Sequence, residues 1–416
     1  MDLNLIDLFA GCGGLSLGLE QAGFNPVFVN ELHPDAMATY LVNRPNSITT
    51  SKGHNILDVL DLSQSPSELE ALSRKLRREC GEIALVAGGP PCQGFSGIGH
   101  RRSFSVSKEM IPSNHLYGEM AKVITAIAPR AFLFENVKGL LTSRWTPDGQ
   151  KGEIWGDVQA TFKSIEVKVG RRKVGYRVGH ALVLAKDYGV PQNRPRVLLV
   201  GLRDDLDIEL DDALPAGGLL PAPQGTPPTP PDLLADLLDP SWEPGGSTLT
   251  YPHAARTATQ RALRQALGTG RVLPKGSPLS EHDYSKHSAK VMEKFQYMID
   301  HGGEIPRSMQ TKKFAQRVLP VEWGESGPTI TATSLPDDYV HYAQPRVLTV
   351  REWARLQMFP DWYQFIGKRT TGGRRRAGDP SAGNWTRDLP KYTQIGNAVP
   401  VALSRAVGVH LAKLIS

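Results

Sequence analysis

Asn4-Leu5-Ile6-Asp7-Leu8-Phe9-Ala10-Gly11-Cys12-Gly13-Gly14 passes from an apolar run into a cluster of glycines. The run predicts a buried strand and the glycines a tight turn at its end. A helical pattern follows from Ser16 through Leu17, Leu19 and Ala22, stopped by Gly23; Pro26 to Asn30 then predicts a second strand ending at Glu31. His33-Pro34-Asp35 opens another helix. Strand, turn, helix and strand in that order begin an α/β sheet. Glycines let the backbone approach a ligand closely, and a helix start offers free N–H groups. An acid at the tip of the second strand can accept hydrogen bonds from ribose hydroxyls. The spacing is not GxGxxG, which argues against a dinucleotide pyrophosphate, and an ordinary glycine-rich turn is the plainer alternative.

Outward from there the alternation continues. A polar stretch surrounds His54-Asn55-Ile56, a helix is expected from Glu68 to Glu79, and Ile83-Ala84-Leu85-Val86-Ala87 reads as a fully buried strand. Gly88-Gly89-Pro90-Pro91 ends that strand abruptly and should fix Cys92 on a rigid turn at its C-terminal edge. A single cysteine is usually a small buried hydrophobe. One pinned by two prolines, ahead of a polar glycine-dotted loop running to His115, is also a candidate nucleophile. A helix from Leu116 to Ile127 precedes the strand Ala131-Phe132-Leu133-Phe134, which runs straight into Glu135-Asn136-Val137. A carboxylate at a buried strand tip must be paired or do chemistry, because desolvation is costly. Glu135 and Cys92 end successive strands and should face one cleft; a helix cap or a salt bridge is the alternative for Glu135.

An amphipathic helix around Trp155 to Ile165 leads into a basic turn, then strands from Tyr176 to Leu184 and Val197 to Leu202. Between them lies Gln192-Asn193-Arg194-Pro195-Arg196, whose arginines could bind an anion or a base carbonyl, or be a solvated pair. After Arg203 the chain turns acidic through residue 212, and nine prolines fall between Pro215 and Pro244. That composition cannot continue the alternation, so residues 205–345 are expected to form a second, smaller, loop-rich domain. Val347 to Met358 reads as a helix with Thr349 capping it and Phe359-Pro360 ending it. Residues 367–391 hold a Gly/Arg-rich insertion with Arg374-Arg375-Arg376, either a solvated loop or a phosphate contact. Gln394-Ile395-Gly396-Asn397-Ala398-Val399-Pro400 precedes an apolar helix from Val401 to Leu414.

At 416 residues, with 40% hydrophobic and 22% charged residues, the chain is large enough for more than one domain. No apolar run is expected to span a membrane, and the N-terminus enters a strand without a charged leader. Three cysteines (Cys12, Cys80, Cys92) make neither a disulfide framework nor a zinc pattern, so no metal is expected and a cytoplasmic setting fits. A net charge of +6 favours a polyanionic partner.

The blocks DLFAGCGGLSLGLEQAGF, GGPPCQGFSG, ENVKGLL, QNRPRVLLVG, RVLTVREWARLQMFPDWY and QIGNAVP occur in that order. Together they resemble the ordered motifs of the bacterial DNA (cytosine-5)-methyltransferases, over residues 3–202 and 346–414. The resemblance implies a Rossmann-like class I methyltransferase sheet: residues 1–204 as the catalytic and cofactor domain, 205–345 as the target recognition domain, and 346–416 as a returning segment that completes the cofactor site. It implies attack of Cys92 on carbon 6 of a cytosine flipped out of duplex DNA. Glu135 would hold N3 and the 4-amino group, Arg196 and Arg194 would hold the base carbonyl and the surroundings of the cysteine, and 5-methylcytosine would be released. For S-adenosylmethionine it implies Phe9, Gly11, Gly13, Gly14, Glu31, Leu32, Pro90, Leu116, Asn397 and Ala398. The family's third motif usually has an acid before an apolar residue; the nearest counterpart is Asn55-Ile56, with Asp58-Val59 competing. Gly97, Gly99, Arg101 and Arg102 lie in what resembles a loop that closes over the base.

A restriction-modification role follows from the resemblance, with a cognate endonuclease as partner, no membrane association, and action as a monomer. Two rivals stand beside it. A branch of the family implies transfer RNA as substrate, against which the long variable region argues. A catalytically silent DNA-binding subunit need not keep Cys92, Glu135 and Arg196 together.

Overall fold

The computed structural model describes residues 2–91, 112–146, 148–310, 316–322, 324, 327–330, 338–371 and 388–416. Cys92, the loop after it and Arg374 to Arg376 lie outside the described residues. The opening unit consists of β1 (Asn4–Leu8), α1 (Gly14–Glu20), β2 (Asn25–Asn30) and α2 (Pro34–Val42). α1 begins two residues earlier than its apolar pattern, because Gly13 caps it in a left-handed conformation (φ 85°). β3 (Asn55–Ile56) is a two-residue edge strand, followed by α3 (Pro66–Cys80), β4 (Ile83–Gly88), α4 (Leu116–Ile127) and β5 (Ala131–Val137). α5 (Glu153–Lys163) leads to a basic hairpin, β6 (Val167–Val169) and β7 (Arg172–Val174), where the sequence suggested only a turn. β8 (Tyr176–Leu184) and β9 (Pro195–Arg203) complete a seven-stranded sheet of order β3-β2-β1-β4-β5-β9-β8.

β1 to β5 are parallel, and β9 inserts antiparallel between β5 and β8. The strand order reverses between β1 and β4, so their C-terminal ends open a crevice suited to ligands. Register brings Leu8, Gly88 and Phe134 abreast across three neighbouring strands. The turn after β1, the turn after β4 and Glu135 of β5 therefore leave the sheet at one edge.

Strand alternation sorts the core. Phe132 and Phe134 pack on the layer built by α3, α4 and α5, whereas Ala131 and Leu133 face the opposite layer. That second layer is α1 together with the last helix. The returning chain forms α6 (Val350–Leu356), α7 (Lys391–Asn397) and α8 (Val401–Ile415). Lys391–Ile415 is long and apolar enough to cross a membrane by length and composition, which the sequence reading did not expect. Here Ala398 to Pro400 separate two helices, and Leu403, Val407 and Leu411 are buried on the sheet layer. A Cβ at Gly18 of α1 would lie 2.4 Å from the Ser404 Cβ, and one at Gly408 would lie 2.8 Å from the Ala22 Cβ. Only glycine lets the first and last helices approach this closely.

Residues 205–345 are mostly irregular. Leu219 and Leu220 pack on the sheet layer, while Leu233, Leu237, Tyr251, Leu263 and Tyr339 share a core with Trp353 and Phe359 of the returning segment. One helix, Ala289–Asp300, buries Phe295 and Met298. Its Val291, Phe295 and Met298 follow helical spacing and pack in one small core.

Candidate active site

Glu135 and Arg196 come together through strand register. Arg196 sits opposite Val137 in the β5–β9 ladder, and Glu135 lies two residues along β5 on the same face. The Arg196 Nε donates to the Glu135 Oε1 at 2.7 Å. The other oxygen, Oε2, would lie 2.9 Å from a Cβ at Gly89, and no donor reaches it among the described residues. Burial pushes the Glu135 carboxyl up, against the pull of Arg196 and then Arg194. Asn136 donates to the Pro90 carbonyl at 3.2 Å, tying the same strand to the turn that precedes Cys92. Thus the turn delivering Cys92, the half-coordinated carboxyl of Glu135 and the Arg196 guanidinium form one cluster, though Cys92 lies outside the described residues.

The other two cysteines are poor nucleophiles. Cys12 is buried, its thiol is pushed up to about 12 by burial, and its Sγ lies 3.4 Å from the Gln394 carbonyl. Burial also raises Cys80. A thiol held protonated does not attack.

Arg194 differs from its neighbour. Its guanidinium is buried and donates to the carbonyls of Ile330, Gly396 (2.7 Å) and Ala398 (3.1 Å). It therefore clamps the returning segment, and its Nε lacks a partner among the described residues. Gln192 reinforces the clamp, donating to the Leu356 carbonyl and the Gln357 side chain and accepting from the Ile330 N–H.

At the end of β1, Phe9 (φ 56°), Gly11 (φ 56°) and Gly13 (φ 85°) are all left-handed. Nothing lies within 4 Å of a Cβ placed on Gly11, which leaves open space against the backbone. Glu31 accepts the N–H groups of Gly11 and His33, both at 2.8 Å, so its carboxylate is fixed at the rim of that space. Leu32 beside it is 65% exposed, an apolar surface largely open to solvent. A nucleoside-bearing cofactor fits this chemistry: an acid for ribose, an apolar platform and a backbone without side chains.

Ala398 lies 3.1 Å from a Cβ at Gly14, which joins the returning segment to the turn, while Asn397 is exposed. Pro90 is buried and Leu116 half-buried at the start of α4. Asn55 donates to the Thr49 carbonyl at 2.7 Å, and Ile56 follows it on β3, beside Asn30 at the tip of β2. The competing Asp58 instead accepts from the Leu60 N–H and caps the next helical turn.

Several residues of this edge had no signal in the sequence. Asp7 of β1 is fully buried and accepts from Ser16, and burial raises its carboxyl to about 7. Tyr363 donates to the Cys12 carbonyl at 2.6 Å across 351 residues of chain. No groups of three or more His, Cys, Asp or Glu able to hold a metal occur among the described residues.

The chain matches the family described as C-5 cytosine-specific DNA methylase over residues 3–413. It is 30% identical to the Type II methyltransferase M.DdeI of Desulfomicrobium norvegicum, covering 99% of this chain and 88% of that one. It is 31% identical to the Type II methyltransferase M.XorII of Xanthomonas oryzae, covering 98% and 84%. Among solved structures, an Escherichia coli prophage protein described as a DNA modification methyltransferase superposes with a TM-score of 0.67 at 23% identity, covering 99% of each chain. A DNMT2 mutant from Spodoptera frugiperda gives 0.51 at 13% identity, covering 98% of this chain and 99% of that one. These two likenesses support the class I methyltransferase fold.

Proposed function

This chain belongs to the C-5 cytosine-specific DNA methylases, and on that premise we propose that it methylates carbon 5 of a specific cytosine in duplex DNA, drawing on S-adenosylmethionine, as the modification enzyme of a Type II restriction-modification system. The Type II methyltransferases to which it is similar support the last part of that reading. The observation that carries the chemistry is the Glu135–Arg196 pair lying against Gly89, three residues before Cys92.

Carbon 5 of cytosine is a weak nucleophile, so the ring must first lose its aromaticity. The Cys92 thiolate forms a bond to carbon 6, and the electrons of the 5,6 double bond become available at carbon 5. Glu135, with its carboxyl raised by burial and Oε2 without a donor among the described residues, shares or gives a proton at N3 and the 4-amino group, which stabilises the adduct's charge. Arg196 holds Glu135 in place and adds a positive charge beside it. When bound at the Phe9–Gly14 turn, with Glu31 on the ribose and Leu32 on the adenine, S-adenosylmethionine supplies the electrophilic methyl group. Removal of the carbon 5 proton and expulsion of the Cys92 sulfur restore the ring. A stacked base cannot reach these groups, so the cytosine must be flipped out.

Arg194 acts as a positioning residue in this reading. Residues 205–345 serve as the target recognition domain, anchored to the returning segment by a buried set of ion pairs. In that set Arg355 binds both Asp236 and Asp361 (2.6 Å), and Arg264 binds Asp236 at 3.2 Å. Incubation with mixed-sequence duplex DNA and methyl-labelled S-adenosylmethionine tests the proposal. Label should appear at cytosine carbon 5, Cys92→Ser should transfer none, and duplex carrying 5-fluorocytosine should trap a covalent complex. Label on folded RNA in preference to duplex would overturn the assigned substrate.

A further inference from the structure

The glycine turn does not hold its own shape. Gly13 accepts a left-handed φ of 85°, and the Cys12–Gly13 peptide is pinned on both sides. Its N–H donates to the Ala10 carbonyl at 2.9 Å, and its carbonyl accepts from the Tyr363 hydroxyl at 2.6 Å. A peptide is planar, so fixing both groups fixes the orientation of the whole unit. A Cβ at Gly13 would come within 2.7 Å of the Tyr363 hydroxyl and 2.9 Å of the Arg44 Nη1, so glycine is required here by packing as well as by φ.

Tyr363 is itself held firmly. It is fully buried and accepts a hydrogen bond from the Arg44 Nη1 at 3.1 Å. The buried Arg351 guanidinium donates to the Tyr363 carbonyl at 3.1 Å and to that of Pro360 at 3.2 Å. Arg44 is in turn fixed by Glu20 through Nε at 2.7 Å, and its Nη2 reaches the Gly13 carbonyl at 3.4 Å. The turn at the start of the chain is thus shaped by one side chain from the end of α2 and one from beyond α6.

We propose that Tyr363 is a positioning residue for cofactor binding: its hydroxyl holds the Cys12–Gly13 peptide in the geometry that leaves the space before Gly11 open. The inference rests on the reading of that turn as the S-adenosylmethionine site. The cost of losing the hydroxyl should therefore appear in cofactor affinity, while the chemical step, proposed for Cys92 with Glu135 of β5 and Arg196 of β9, is left alone.

Titration calorimetry of the full chain with S-adenosylhomocysteine as probe tests it. Tyr363→Phe, which keeps the ring, should weaken binding about tenfold, the equivalent of one buried hydrogen bond. Turnover at saturating cofactor and KM for duplex should stay within about twofold. Tyr392→Phe is the control. That hydroxyl is equally buried in the same core but donates to the Leu348 carbonyl at 2.8 Å, away from the turn, so it should cost comparable melting temperature and leave probe affinity unchanged. Arg44→Lys, which loses the reach to the Gly13 carbonyl, is a second variant expected to weaken the probe. Wild-type affinity in folded Tyr363→Phe, or equal losses in Tyr363→Phe and Tyr392→Phe, would overturn the inference alone. A wild type that binds no probe would overturn the cofactor reading and this inference with it.

Discussion

Glu135 and Glu352 are both buried and both face an arginine, yet their carboxyls are displaced in opposite directions. Burial acts upward on each. At Glu352, Arg346 overrides it with a two-pronged contact, Nη1 to Oε2 at 2.8 Å and Nη2 to Oε1 at 2.7 Å. The Thr349 N–H adds a third donor at 2.8 Å, and His341 stands 3.5 Å away. The result is a carboxylate held well below its usual range. At Glu135 burial prevails, because Arg196 offers a single contact and Oε2 faces Gly89. The difference separates two uses of one residue type. A carboxylate with its donors saturated welds structure together, whereas a half-coordinated one still needs a partner, which the extruded base is proposed to supply.

Breaking the pair at Glu135 should therefore be felt in rate. Glu135→Gln keeps an acceptor for Arg196 but cannot give a proton, and should lower turnover on duplex DNA by about 10²–10⁴-fold. Its melting temperature should fall less than that of Glu352→Gln, because the carboxylate it removes is itself penalised by burial and the arginine it leaves loses one contact instead of two. A turnover within threefold of wild type would end the distinction between the two glutamates. Glu352→Gln should do the reverse. It leaves the fully buried Arg346 without its counter-charge and should cost about 3–5 kcal/mol in denaturant unfolding, with turnover per folded molecule preserved.

Acid should separate them further. A carboxylate held below its ordinary value of 4.5 gives stability that is present above pH 4.5 and lost as pH falls through that value toward the folded one. The acid limb of wild-type unfolding should carry that slope, and Glu352→Gln should lose part of it. Glu135, held above 4.5, carries the opposite sign: its native carboxyl takes up a proton first, so acid relieves its cost.

What was legible in the sequence follows the same division. Strands with near-continuous apolar runs and the helix at Leu116–Ile127 were readable because their periodicity is local. The blocks around Cys92, Glu135 and Arg196 were readable because they resemble the family's motifs in their order along the chain. The partners were not. By sequence Arg194 and Arg196 could bind an anion or a base carbonyl, or be a solvated pair, but register turns one toward Glu135 while the other satisfies carbonyls of residues 330, 396 and 398. Nothing local marks Tyr363 as a partner of Cys12, because the signal is a tertiary contact across 351 residues. Residues 205–345 likewise hid two short capped helices, Pro230–Leu234 and Ala258–Leu263. They are held by the buried ion pairs among Asp236, Arg264 and Arg355, and their own periodicity is weak.

The smallest effect is expected one turn from Glu352, and it tests whether saturation, rather than the arginine alone, makes that carboxylate structural. Thr349 and Glu352 form a reciprocal capping box at the start of α6: the threonine hydroxyl accepts the Glu352 N–H at 3.2 Å, and the carboxylate accepts the Thr349 N–H. The same hydroxyl meets the buried His282 Nδ1 at 2.9 Å. Thr349→Ala removes the hydroxyl and leaves the backbone donor to Glu352 intact, so Arg346 and the Thr349 N–H still saturate the carboxylate. The expected loss is about 1 kcal/mol, the ordinary cost of an N-cap, with the acid limb of unfolding unchanged in slope. If Thr349→Ala instead flattened that limb as Glu352→Gln is expected to do, the hydroxyl would be holding the carboxylate in place. The low pKa of Glu352 would then belong to the cap and its neighbours as a unit, and the contrast with Glu135 would rest on the helix start instead of on donor count.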